Sequence, residues 1–247
     1  MTTSSSALRQ QLGHPVIDAD GHCLEYHPAI RAILAEVAGA DVADRYQLAP
    51  TGHFNWYDQS PDTRRHRRTP RPPWWSVPSA NTDDRAMALI PQVMYDRLDE
   101  AGIDFSILYP TLGLFAMAIG NDELRQAGCR AFNLYYHRVY GPYGDRLRPN
   151  AIIPMHTPDE ALAELDFAVG ELGFRSVLLA GHVRRPIPAA VDRAPGAGRY
   201  ALWFDNLTVD AGHDYDPVWQ RCLDLGVAPT FHSGGQGWGS RQTTTNY

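Results

Sequence analysis

Short apolar runs alternate with helical stripes along the chain. His14-Pro-Val-Ile-Asp-Ala-Asp20 is an apolar run closing on polar groups, the pattern of a strand end. Pro28 to Ala38 reads as helix, and Asp41 to Ala80, rich in Pro, Trp, Arg and Gly, as a long irregular stretch. Loops of that length inside a compact domain are usually lids or binding elements. Asn81-Thr-Asp-Asp opens a further helix, with Thr82 as cap and Ala86, Leu89, Ile90, Val93, Met94 and Leu98 as its stripe. Pro91 is expected to kink that helix and Gly102 to end it. Strands follow at Ile103–Tyr109, Arg148–Pro154, Phe174–Ala180 and Val227–His232. The intervening helices run from Asp122 to Tyr140, from Thr157 (cap, with proline at N1) to Gly173, and from Asp216 (cap, with Pro217 at N1) to Gly226.

Five strands separated by helices imply a parallel α/β architecture with right-handed crossovers. No G-x-G-x-x-G follows any strand, which weakens a dinucleotide-binding reading. Asp20, His22, His156, His182 and His232 all fall just past strand ends, where (β/α) barrels keep their active sites. The expected fold is therefore TIM-barrel-like and incomplete. Ser233 to Gly239 resembles a fifth βα loop, and the sequence ends at Tyr247 with about three βα units of the eight-fold barrel still to come. Residues 1–13 are expected to be disordered and 14–247 to form the partial barrel, with 41–80 as its lid-like insertion.

Composition narrows the chemistry. At 247 residues with 44% apolar content the chain can bury a core, and no run of about 18 apolar residues offers a membrane span. Met1 to Gln11 lacks the basic and apolar regions of a signal peptide. The net charge of −6 and scattered arginines argue against nucleic acid as partner. All 22 basic residues are arginine, which excludes a P-loop lysine, a Schiff-base lysine and a carboxylated lysine bridging two metals. Cys23, Cys129 and Cys222 are far apart and without C-x-x-C spacing, which fits a reducing cytoplasm, and Cys129 and Cys222, inside helical patterns, are expected to be small buried side chains.

The strongest constellation is Asp18-Ala-Asp20-Gly-His22. In an extended segment residues i and i+2 share a side, so Asp18, Asp20 and His22 are expected to face one barrel mouth. Carboxylate plus imidazole suits zinc, manganese or iron. His232, at the end of the fifth strand and followed by Ser-Gly-Gly, is the distant supplier such a site needs.

Val16-Ile-Asp-Ala-Asp-Gly-His22 and Pro229-Thr-Phe-His232 resemble the amidohydrolase superfamily, specifically the amidohydrolase-related branch that includes aminocarboxymuconate-semialdehyde decarboxylase and the resorcylate decarboxylases. Tyr95-Asp-Arg-Leu-Asp-Glu-Ala-Gly-Ile-Asp104 and Tyr215-Asp-Pro-Val-Trp219 carry the same likeness, which extends from about Pro15 to Tyr247. The resemblance implies a distorted TIM barrel with one divalent metal, zinc first among them. It implies Asp20 and His22 as strand-one ligands, in the place of the family's H-x-H or acid-x-H, and His232 as the strand-five ligand. It also implies a hydrolase or carboxy-lyase acting on a small carboxylate, with acid-x-His favouring non-oxidative decarboxylation of an aromatic or unsaturated one. The family's strand-six histidine and strand-eight aspartate have no counterpart here, so no residue is assigned as catalytic acid or base.

His182 is read as a substrate contact, His156 as a weaker one, Arg64 to Arg71 as a solvated loop, and Trp74 and Trp75 as anchors for it. Two competing readings stand beside the enzyme. One is an aspartyl-phosphate nucleophile at Asp18-x-Asp20, as in haloacid-dehalogenase-like phosphatases; His22 stands where Thr or Val is needed and the usual lysine is absent. The other is a catalytically inactive barrel fragment whose open edges pair in a homo-oligomer. An EF-hand is rejected for want of a third acid, a loop glycine and a closing glutamate.

Overall fold

The computed structural model describes residues 4–48, 59–67 and 81–232. Eight strands are seen among them: β1 (Ile17–His22), β2 (Phe105–Tyr109), β3 (Leu147–Pro149), β4 (Ala151–Ile153), β5 (Val177–Leu179), β6 (Val183–Pro186), β7 (Leu202–Asp205) and β8 (Pro229–Phe231). The helices are α1 (Ser5–Arg9), α2 (His27–Ala38), α3 (Ala40–Leu48), α4 (Pro61–Arg67), α5 (Thr82–Leu89), α6 (Pro91–Ala101), α7 (Gly113–Ala116), α8 (Asp122–Tyr140), α9 (Pro158–Leu165), α10 (Pro188–Arg193) and α11 (Asp216–Asp224).

The parallel strands run in the order β1-β2-β3 and β4-β5-β8. Only Asn150 separates β3 from β4, so one extended segment serves both sheets, pairing first with β2 and then with β5. Asn150 makes the bend by sending both its backbone N–H and its side-chain amide to the Leu108 carbonyl. Five parallel passes with helices between them form an incomplete TIM-barrel-like fold. β4 and β5 are buried on both faces, which is why Ala151-Ile-Ile153 and Val177-Leu-Leu179 read as continuous apolar runs. At the two outer strands the picture reverses: Ile17 of β1 is 57% exposed and Phe231 of β8 is 55% exposed.

Helix α8 is the main support of this sheet. Its Asn133 spans the gap to β4, donating to the Ile152 carbonyl and accepting from the Ile152 N–H (2.9 and 2.8 Å). Helices α2 and α3 pack on α8 and on each other. Among the described residues no helix is long and apolar enough to cross a membrane.

Several elements differ from expectation. Residues 1–13 were expected to be disordered, yet Ser4 caps α1, and Arg9 pairs with Asp104, which also accepts from the Val16 N–H. The start of the expected irregular stretch is helix α3, because Val42, Ala43 and Tyr46 find burial there. Asn81, not Thr82, caps α5. Pro91 does more than kink: Ile90 turns extended and a new helix starts with the proline at N1. Gly102 ends α6 in the left-handed conformation (φ 73°). Asp216 is the first residue of α11 rather than its cap. The segment after β5 is not plain loop; β6 and β7 form an antiparallel hairpin there. All three cysteines are free and buried, as the helical patterns around Cys129 and Cys222 implied for those two.

Candidate metal centre

The site is assembled where β1 and β8 end. Pairing of β1 with β2 aligns Ile17 with Phe105 and Asp18 with Ser106, then resumes with Gly21 opposite Leu108 and His22 opposite Tyr109. Three residue steps on β1 thus match two on β2, a β-bulge across Ala19 and Asp20. The bulge breaks the alternation on which the shared facing of Asp18, Asp20 and His22 depended. Asp18 falls on the face of Ser106 and Leu108, and His22 on the face of Tyr109. Asp18 accordingly accepts from the Ser106 hydroxyl (3.0 Å) and from the Asp20 N–H (3.0 Å), and stands apart from the donor group.

Asp20, His22 and His232 do converge. One ligand atom from each lies within 4.8 Å of the others. His232 Nε2 stands 2.8 Å from Asp20 Oδ1, and the His22 and His232 rings meet edge to face with centroids 4.8 Å apart. Tyr109 walls the cluster, its ring 4.5 Å from His232 and 6.1 Å from His22. Burial lowers the pKa of His22, and the neighbouring His232 lowers it further; Asp20, the Pro110 carbonyl and Asp18 offset part of this. His22 therefore favours the neutral ring.

Metal–ligand bonds of about 2.0–2.2 Å put neighbouring donors roughly 3 Å apart. The Asp20–His232 separation meets that spacing, and a carboxylate with two imidazoles is a donor set divalent cations accept.

The amidohydrolase family model matches residues 17–247, nearly the whole chain. This chain belongs to the amidohydrolase family. The match sets aside the phosphatase reading of Asp18-x-Asp20. A search of curated proteins finds no match. Among solved structures, an amidohydrolase from Mycobacterium avium subsp. paratuberculosis K-10 superposes with a TM-score of 0.55 at 17% identity, over 92% of this chain and 60% of that one. A dihydroxybenzoic acid decarboxylase from Polaromonas sp. JS666, solved with manganese and 2-nitroresorcinol, gives 0.50 at 18% identity, over 89% and 49%. A 5-carboxyvanillate decarboxylase from Novosphingobium aromaticivorans DSM 12444, solved with manganese and 4-hydroxy-3-methoxy-5-nitrobenzoic acid, gives 0.50 at 15% identity, over 89% and 50%. At these identities the likeness is one of fold, and this amidohydrolase chain spans about half to three-fifths of their length.

The other expected site residues lie outside the cluster of three. His182, between β5 and β6, packs edge to face on Phe204 (4.5 Å), and burial followed by Arg184 lowers its pKa. Arg64 to Arg67 belong to α4, where Arg65 pairs with Asp62; Arg68 to Arg71, Trp74, Trp75 and the Ser233–Gly239 loop lie outside the described residues. Sequence reasoning missed the parts of Tyr109 and Glu25. The buried Glu25 carboxylate accepts from three successive backbone amides, Thr111, Leu112 and Gly113, directly after Pro110. Its only sequence signal was an acid among the buried neighbours Cys23 and Leu24.

His156 is structural rather than solvent-facing. Burial, then the charges of Arg125 and Arg185, push its pKa down to about 3 from an ordinary 6.5. The unfolded chain thus takes up a proton between those values that the folded chain refuses. Stability from this residue is complete above about pH 6.5 and is lost as pH falls towards 3, by up to about 5 kcal/mol. His156→Asn is expected to flatten the acid limb of a urea-midpoint-against-pH curve. An unchanged limb would assign acid sensitivity to other groups.

Proposed function

We propose that this chain carries the metal centre of a carboxy-lyase of the amidohydrolase family, with a small aromatic carboxylate as substrate. The observation carrying the reading is the convergence of Asp20, His22 and His232 at the ends of β1 and β8. Asp20 Oδ1 and one nitrogen each of His22 and His232 would hold the cation; manganese, found in two solved relatives, joins zinc as the metal to test. When bound, such an ion polarises substrate oxygens and can lower the pKa of bound water. Decarboxylation breaks the bond between ring carbon and carboxylate; carbon dioxide leaves and the ring carbon takes a proton. In this chain the Tyr109 ring would wall the substrate's side of His232, and His182 would contact the substrate from the β5 end.

A second reading, metal binding without turnover, is favoured by the exposure of Ile17 and Phe231, apolar side chains on the outer strands. One experiment separates the two. The purified chain, loaded with Mn²⁺ or Zn²⁺, is expected to hold stoichiometric metal and to release carbon dioxide from 2,6-dihydroxybenzoate. His232→Ala is expected to weaken metal binding beyond the roughly 10- to 100-fold that loss of an outer-shell partner costs. Metal without carbon dioxide supports the second reading. Unchanged metal content in His232→Ala removes that residue from the site.

A further inference from the structure

We propose that Asp18 is a positioning residue of this centre: its carboxylate holds the bulge in β1 that aims Asp20 and His22 at His232. The proposal rests on reading those three side chains as metal ligands. A regular strand would place Asp18, Asp20 and His22 on one face. The observed pairing does not, since the extra residue between Asp18 and Gly21 moves His22 to the face of Tyr109.

A bulge leaves backbone groups without ladder partners, and something must hold it. Asp18 does so with both oxygens. Oδ1 accepts from the Asp20 N–H inside the bulge, and Oδ2 accepts from the Ser106 hydroxyl on β2. The Asp20 backbone is thereby tied through one carboxylate to the neighbouring strand. Gly21 completes the device: a Cβ there would stand 2.4 Å from Ser106 Oγ and 2.7 Å from Asp18 Oδ2, so only glycine leaves room for the pair. Asp18 is not among the three clustered donors and acts through Asp20 and the direction of β1.

The test is calorimetric titration of Mn²⁺ and Zn²⁺ into the full chain, with Co²⁺ visible absorption reporting the ligand set. Asp18→Ala is expected to lower affinity about tenfold or more and to change the Co²⁺ spectrum, as loss of groups orienting a ligand does. Asp18→Asn keeps an acceptor for the Asp20 N–H and can donate to Ser106, and is expected within about threefold of wild type with its spectrum. Wild-type affinity in Asp18→Ala overturns the proposal. So does equal loss in both variants with an unchanged spectrum, which marks a charge effect rather than an aiming one. Should Asp18→Ala fail to fold by circular dichroism, Ser106→Ala carries the test: weakened binding with an altered Co²⁺ spectrum upholds the proposal and unchanged binding overturns it. Absence of metal from the wild-type chain overturns the metal reading and this proposal together, whereas wild-type binding with an indifferent Asp18 overturns this proposal alone.

Discussion

Glu25→Ala is expected to cost about 4 kcal/mol of folding stability, a large share of the roughly 5–15 kcal/mol that folded chains possess. Glu25 Oε1 accepts from the Thr111 and Gly113 amides (3.1 and 3.3 Å) and from the Tyr136 hydroxyl (2.5 Å); Oε2 accepts from Leu112 (2.8 Å). Alanine would leave these four donors in a space too buried to be rewetted freely. Each unsatisfied donor costs about 1–3 kcal/mol. The carboxylate itself is strained by burial, which raises its pKa despite these donors, so part of the loss is returned. Glu25→Gln preserves the shape but turns an amide N–H₂ towards donors, and should fall between alanine and wild type. Urea unfolding followed by far-ultraviolet circular dichroism measures both. A drop below about 1 kcal/mol for alanine would mean that the loop re-pairs elsewhere.

Arg125→Ala is expected to cost about 3–5 kcal/mol. The Arg125 side chain is fully buried in α8, with Nη2 2.7 Å from Glu160 Oε2 and 2.6 Å from Asp122 Oδ1, and Nη1 2.8 Å from the Ile119 carbonyl. Removing it strands the Glu160 carboxylate, whose own exposure is 2%. Most of the cost is therefore the orphaned charge rather than the lost attraction. The double variant Arg125→Met/Glu160→Leu separates the two contributions. Deleting both charges should recover much of the loss, short of the cap Glu160 supplies at the start of α9, worth about 1 kcal/mol. If the double variant is no more stable than Arg125→Ala, the ion pair itself stabilises the fold.

Local patterns showed through where local physics decides. The helix from Asp122 to Tyr140 carries its signal in a few adjacent residues: Asn121 caps it, two acids fill its first turn, and His137 and Arg138 sit in its last. Thr157-Pro-Asp-Glu160 did the same for α9, down to a complete capping box. Helix α3 was illegible for the opposite reason. Its start, Ala40-Asp-Val-Ala-Asp-Arg-Tyr46, is helical because Val42, Ala43 and Tyr46 are buried, and burial is not written in nine residues. The β6–β7 hairpin was hidden by the Pro and Gly of its connection, Ile187 to Ala201.

The candidate site divides along the same line. The residue types and their order, Asp20-x-His22 near the start and His232 after the last described strand, are enough to select the chemistry, because donor atoms are a property of side chains. Whether three donors 212 residues apart can share one cation is a property of strand register, which depends on partners distant in sequence. Alternation alone would have joined Asp18 to the donors. Pairing with β2 forced an extra residue into β1, turned Asp18 towards Ser106, and left Asp20 and His22 to meet His232.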